Sequence, residues 1–277
     1  LNAPEFTQER PKPREGEELL RVQDLEVHYL LEKDWLGRPR KWLKAVDGVS
    51  FELRQGRTLG LVGESGCGKS TLGRAVLRLQ EPTGGKVFLE GEDLGRLSAG
   101  ELRKRRRSMQ LIFQDPFASL NPRMRIGEAV AEPMWVHRMH STKQQCRDAA
   151  VELLEQTGIE SSMLKRFPYE FSGGQRQRIG IARALGLKPK LLVCDESVAA
   201  LDLSVQAQIL NLLLELQERF GLSYLFISHD LNVVQFLSDY MMVMKDGKVV
   251  EEGEPKDLFA SPKEAYTQRL MEGLLRV

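Results

Sequence analysis

Short apolar runs separated by polar turns set the rhythm of this chain. Three of them, 19–30 (LLRVQDLEVHYL), 44–53 (KAVDGVSFEL) and 58–63 (TLGLVG), read as strands. The second alternates apolar and polar positions, as a strand with one buried face does, and RQG ahead of Arg57 makes a hairpin-like turn. Between the first two, LEKDWLGRPRKW (31–42) is polar and carries Gly and Pro, so a loop or loose hairpin is expected. Helical spacing follows at 71–79, then strand character in GGKVFLEGEDL (84–94) and in MQLIFQ (109–114). From Asp115 to Leu187 the texture changes: proline turns (DPFASLNP) lead into helical stretches at 126–138, 143–157 and 175–187, as in a helical insertion. Continuous apolar runs then return at 190–196, 223–228 and 240–244, alternating with helices at 204–220 and 231–238. Unbroken apolar strands with helices between them predict parallel strands covered on both faces.

The organisation expected is therefore α/β, without internal repeats. Residues 1–18 read as a disordered arm, and 19–114 with 188–253 as an α/β core that includes an antiparallel β part. Residues 115–187 form the helical subdomain, and 254–277 a small helical appendix.

The chemistry concentrates where strands end. GESGCGKS (63–70) fits G-x-x-x-x-G-K-[ST] at every position, after a strand and before a helix, which is the context that gives the motif its meaning. Gly63, Gly66 and Gly68 let the backbone wrap a triphosphate with its amides inward. Lys69 reaches the β- and γ-phosphates, and the Ser70 hydroxyl is a ligand for Mg²⁺. Glu64, Ser65, Cys67 and Thr71 complete the candidate nucleotide loop. Asp195, ending an apolar strand, can hold the magnesium through water, and Glu196 can polarise an attacking water. Neighbours on a strand face opposite ways, so both act only if the strand stops there; a helix-capping acid pair is the alternative. His229 and Gln114 share this address at the mouth of the sheet. His229 can contact the γ-phosphate, or be a satisfied structural histidine. For stacking on adenine Tyr29 is the first candidate, with Trp35 and Trp42 as rivals and plain packing as the other reading.

A second anion site stands in FSGGQRQR (171–178), where Ser172, Gly173 and Gly174 turn into a helix at Gln175. Composition adds exclusions. Net charge is +1, so no global field points to nucleic acid, and RKRRR (103–107) on a short polar helix reads as a solvated face. Three scattered cysteines lack metal-ligand spacing and suit a reducing compartment. No apolar run is long enough to span a bilayer, and the first residues hold no signal-peptide core, so a cytoplasmic chain is expected.

In order and rough spacing, the phosphate loop, Gln114, FSGGQ, VCDE, AALD and His229 resemble the motifs of ABC-type ATPase subunits, over about 19–275. Finer phrases, among them KAVDGVSF, FQDPFASLNPRMRIGEAVAEP and the C-terminal AYTQRLM, are similar to the oligopeptide/dipeptide/nickel importer group and its F-type subunit. The resemblance implies a P-loop NTPase (RecA-like) ABC fold with an antiparallel β subdomain and an inserted helical subdomain. It implies ATP and Mg²⁺ as cofactors, with Gln114 joining Ser70 and Asp195 at the metal, and Gln114, Glu196 and His229 in catalysis. It also implies head-to-tail pairing, in which Ser172, Gly173, Gly174, Gln175 and Asp202 meet the nucleotide held by a second, different ATPase subunit. Two transmembrane permease subunits and an extracytoplasmic solute-binding protein would complete the assembly, with this chain peripheral on the cytoplasmic face of the inner membrane and no nucleic-acid partner. The expected cargo is a small peptide or a related solute such as a metal or metal chelate. Ser197 replaces a usual proline, Ala199 a usual serine and KEAYT a usual HPYT; none removes a catalytic group. The cysteine-bearing C-terminal extension of some relatives is missing, so no iron–sulfur site is expected there. A DNA-repair ABC protein would need long heptads before FSGGQ, a translation-type protein two cassettes, and an inactive partner subunit would not keep Glu196 and His229.

Overall fold

The computed structural model describes residues 16–33, 35, 38–199 and 201–274. In chain order these form β1 (Glu18–Lys33), β2 (Pro39–Arg54), β3 (Thr58–Val62), α1 (Lys69–Val76), β4 (Gly84–Leu89), β5 (Glu92–Asp93), α2 (Ala99–Arg105), β6 (Met109–Ile112), α3 (Pro116–Ser119), α4 (Ile126–Val136), α5 (Lys143–Gln156), α6 (Gly173–Leu185), β7 (Leu191–Asp195), α7 (Leu203–Phe220), β8 (Ser223–Ile227), α8 (Leu231–Leu237), β9 (Tyr240–Lys245), β10 (Lys248–Gly253), α9 (Pro255–Ala260) and α10 (Ala265–Leu274). Nearly all of the proposed arm, and the last three residues of the expected appendix, lie outside the described residues.

The chain divides into two compact units. One comprises the described residues of 16–102 and 223–274. It holds an antiparallel sheet ordered β2-β1-β4-β5, and a run of strands ordered β10-β9-β3-β8. Within that run β3 lies parallel to both β8 and β9, while β9 and β10 form a hairpin. Every residue of β3 and β8 is buried, which is why both read as continuous apolar runs rather than alternating ones. α1 packs on β1, β2 and β8.

The other unit is 103–222. β6 and β7 pair in parallel, Met109 opposite Leu191 through Ile112 opposite Cys194. Its helices close on a core of their own, in which Ile126, Val130, Ala150, Leu154, Ile179 and Ala182 are fully buried. The boundaries of α4 and α5 follow from local chemistry. α4 ends at Val136, and α5 starts behind a capping box in which Thr142 and Gln145 satisfy each other's backbone amides.

Two refinements of the sequence expectation have physical reasons: the 31–42 segment takes the hairpin alternative, and α6 starts ahead of Gln175. β1 and β2 run well into the polar 31–42 segment, as a ribbon whose register reaches Lys33 opposite Pro39. β4 accompanies β1 only as far as Glu26 opposite Gly84, so among the described residues the outer ribbon has no third strand and no buried face to impose alternation. α6 begins at Gly173, two residues before Gln175, because Ser172 is its N-cap. In the basic run Arg103 and Lys104 are exposed while Arg105, Arg106 and Arg107 are half-buried, so only its first part presents the expected solvated face.

Candidate functional site

The phosphate loop leaves β3 at Val62 and enters α1 at Lys69. Gly68 caps that helix with φ 109° and contributes no side-chain hydrogen bond, so the first-turn amides are not covered by a capping side chain. Its α-carbon lies so close to β2 that an added Cβ would stand 1.9 Å from the Ala45 carbonyl oxygen. Lys69 is 4% exposed, and its ammonium folds back on the loop, donating to the carbonyls of Gly63 (2.7 Å) and Glu64 (2.9 Å). Glu64, Ser65 and Gly66 are exposed, Ser70 and Thr71 half-buried. Cys67 is buried, which raises its thiol pKa against the lowering effect of nearby Lys69. His229 lies exposed in the same unit, two residues past the end of β8 and just ahead of Asp230, which caps α8.

The aromatic candidates separate by register. Tyr29 faces Leu43 across the ribbon and Leu30 faces Trp42, so Tyr29 and Trp42 project from opposite faces and only one of them can meet a given base. Trp35 is 91% exposed near the turn of the ribbon.

In the 103–222 unit, β7 ends on Asp195, which is 3% exposed. Glu196 is the first residue beyond the strand and adopts φ 46°, a left-handed backbone rare for a non-glycine residue. The strand therefore stops between the two acids, and the kink turns Glu196 out of the alternation that would hide one of them. Gln114, two residues past β6, donates from Nε2 to Glu196 Oε2 at 2.7 Å. Cys194, wholly buried behind them, has its thiol pKa pushed up to about 12 by burial. Ser172 Oγ accepts from the Gln175 amide at 3.3 Å, while Gln175 Oε1 accepts from the Ser172 amide at 3.0 Å. Two of the donors expected to greet an anion thus serve a capping box, leaving the amides of Gly173 and Gly174 as those its side chains do not use. Asp202 caps α7, accepting from the Val205 amide at 2.9 Å.

Residues 46–199 match the ABC transporter family (ABC_tran), a stretch covering more than half of the 277 residues. The oligopeptide transport ATP-binding protein OppF of Salmonella typhimurium is 50% identical over 258 residues, 92% of this chain and 77% of its own. The chain belongs to the ABC transporter family of ATP-binding proteins. This ABC ATPase is also 46% identical to the dipeptide transport ATP-binding protein DppF of Escherichia coli, over 94% of this chain and 77% of that one. A solved relative, the dimeric ATP-binding cassette MJ0796 in a post-hydrolysis state bound to ADP and Pi, matches at TM-score 0.76 and 28% identity, covering 86% of this chain and 99% of its own. The α/β fold is that of a P-loop ATPase cassette, and its activity is ATP binding and hydrolysis in the service of a transporter.

Two contacts of the ABC ATPase carry no local sequence signal. The Gln114–Glu196 bond joins residues 82 positions apart. The Tyr266 phenol accepts from the Glu64 amide at 3.0 Å, across 202 positions. AYTQRLM marks the segment that holds Tyr266, but nothing in that phrase assigns it to the phosphate loop.

Proposed function

We propose that this ABC ATPase energises the uptake of small peptides. The observation that carries the reading is its similarity, at 46–50% identity over more than nine-tenths of its length, to subunits named for oligopeptide and dipeptide transport. It works with a second ATPase subunit, two transmembrane permeases and an extracytoplasmic solute-binding protein. Its place is the cytoplasmic face of the membrane, held there by those permeases; among the described residues no helix is long and apolar enough to cross a membrane.

Residue roles belong to the same proposal. Lys69 gives up its two carbonyl partners for the β- and γ-phosphates, a gain because a charge-assisted bond to phosphate is stronger than one to a neutral carbonyl. Ser70, Gln114 and Asp195 offer hydroxyl, amide and carboxylate oxygens, the hard donors Mg²⁺ takes, and the bound ion would neutralise developing phosphate charge. Glu196 orients and polarises the attacking water, with Gln114 holding its carboxylate until nucleotide arrives. His229 contacts the γ-phosphate, Tyr29 meets the adenine, and Ser172, Gly173, Gly174, Gln175 and Asp202 close on the nucleotide of the partner subunit. Peptide uptake is tested in vesicles carrying the whole assembly, by competing a labelled tripeptide with unlabelled peptides, glutathione or Ni²⁺. Competition by peptides alone is expected. Competition by Ni²⁺ alone would assign the system to metal uptake instead, and by glutathione alone to the function for which a 46%-identical relative, the glutathione import ATP-binding protein GsiA of Pectobacterium atrosepticum, is named.

A further inference from the structure

We propose that Tyr266 is a positioning residue for the phosphate loop: its phenol oxygen pins the Glu64 peptide so that the loop keeps its shape while Lys69 changes partners. The inference rests on reading residues 63–71 as the nucleotide site. In the structure the Glu64 residue is held at both ends, its amide by Tyr266 at 3.0 Å and its carbonyl by Lys69 at 2.9 Å. Lys69 also holds the Gly63 carbonyl, at 2.7 Å. When the ammonium turns to phosphate, both lysine bonds to the loop are released together. Left to itself, a loop with glycines at 63, 66 and 68 would gain backbone freedom at the moment its amides must converge on one anion.

The Tyr266 bond does not belong to that exchange. It comes from α10 (Ala265–Leu274), and α10 has its own moorings. The Glu251 carboxylate accepts from the amides of Lys263 (2.8 Å) and Glu264 (3.1 Å), just ahead of the helix. Tyr266 is 7% exposed, and the Lys245 ammonium lies 5.1 Å from its ring centroid. Burial raises the phenol pKa, despite the lowering effect of the Glu64 amide, so the group stays neutral and able to accept. A second tie, from the Gly247 amide to the Cys67 carbonyl at 3.0 Å, supports the far side of the loop. Tyr266 thus supplies a fixed point that survives nucleotide arrival, and the C-terminal helix becomes part of the nucleotide-binding apparatus although it touches no phosphate.

The test is Tyr266→Phe in the full chain, which removes one oxygen and keeps the ring. Affinity for a fluorescent ATP analogue with Mg²⁺, steady-state KM and kcat for ATP, and the melting temperature without nucleotide are measured together. Loss of one hydrogen bond to the part-buried Glu64 amide is expected to raise Kd and KM roughly three- to tenfold, with kcat at saturating ATP unchanged within about twofold. Gln268→Ala, on the same helix, removes a 2.9 Å bond to the Pro262 carbonyl ahead of it and is expected to leave Kd unchanged. Lys69→Ala serves as the reference for the site itself. Wild-type affinity in Tyr266→Phe alongside weak binding in Lys69→Ala would overturn the role of Tyr266 and leave the site intact. Equal loss of affinity in Tyr266→Phe and Gln268→Ala would mean simple loosening of the helix, which also overturns it. Wild-type affinity in Lys69→Ala would overturn the reading of the loop.

Discussion

Gly68→Ala tests whether the phosphate loop owes its affinity to its shape. An alanine Cβ at this position would stand 1.9 Å from the Ala45 carbonyl oxygen and 2.9 Å from Met244 Cε, where ordinary contacts begin near 3.4 Å. The methionine methyl can swing away, but the carbonyl is backbone. It belongs to β2, whose Asp47 amide bonds the Gly247 carbonyl at 2.9 Å, while the Gly247 amide bonds Cys67 at 3.0 Å. The strand is therefore tied to the loop it would have to leave, and the loop must shift by more than 1 Å in compensation. Amides aimed at phosphate lose most of their bonds over such a distance, and a hydrogen bond to a charged group contributes about 1.5–3 kcal/mol. Losing one such bond weakens ATP binding roughly 10- to 150-fold. Gly66→Ala separates this effect from backbone strain, because Gly66 has φ 85° with nothing within 4 Å of its Cβ position. Its strain, about 1–3 kcal/mol, is present with and without nucleotide and so lowers the melting temperature by a few degrees while leaving affinity within about threefold. Titration of a fluorescent ATP analogue against both variants, with thermal melts of each, reads the two effects. ATP affinity in Gly68→Ala within threefold of wild type would refute the argument, as would equal losses in both variants.

Glu196→Gln should retain ATP affinity, since its amide oxygen still accepts from Gln114, yet lower turnover about a hundredfold or more for want of a base; wild-type turnover would remove Glu196 from catalysis. Ser172→Arg should leave ATP binding to the isolated chain unchanged and damage the nucleotide site of the partner ATPase, read by azido-ATP photolabelling of each subunit; loss of labelling in the isolated chain would contradict the head-to-tail assignment. His137 has its pKa lowered by burial and by Arg107 and Arg103, so the unfolded chain takes up the proton first as pH falls. The stability of the neutral form is present above about pH 6.5 and declines below it, and His137→Gln should flatten the fall in melting temperature between pH 7 and 5.5; an unchanged slope would contradict this.

What the sequence makes legible is the chemistry that short segments must carry alone. The phosphate loop announces itself because each glycine, Lys69 and Ser70 answers to one backbone or phosphate requirement within eight positions. The parallel strands are legible because burial on both faces makes β3, β7 and β8 near-continuous apolar runs, with Thr58, Asp195 and Ser223 only at their ends. Register across the ribbon is not, since Tyr29 and Trp42 look equivalent until their pairing places them on opposite faces. Nor does a helix reveal what its cap already satisfies: FSGGQ reads as an open anion site, whereas Ser172 and Gln175 occupy two of its amides with their own side chains. Tyr266 is the extreme case, a phenol whose partner is a backbone amide, so no residue type at position 64 records the contact.

ATP held on the phosphate loop of this chain is what we propose drives solute uptake. This coupling is tested most directly by ATP-dependent accumulation of a labelled tripeptide in vesicles that contain both permeases, the partner ATPase and this chain, fed with solute-binding protein. With wild-type chain, accumulation should require ATP and Mg²⁺. With Lys69→Ala, whose ammonium can no longer pass from the Gly63 and Glu64 carbonyls to phosphate, it should fall at least tenfold. Accumulation at the wild-type rate with Lys69→Ala would mean that ATP on this loop does not drive uptake.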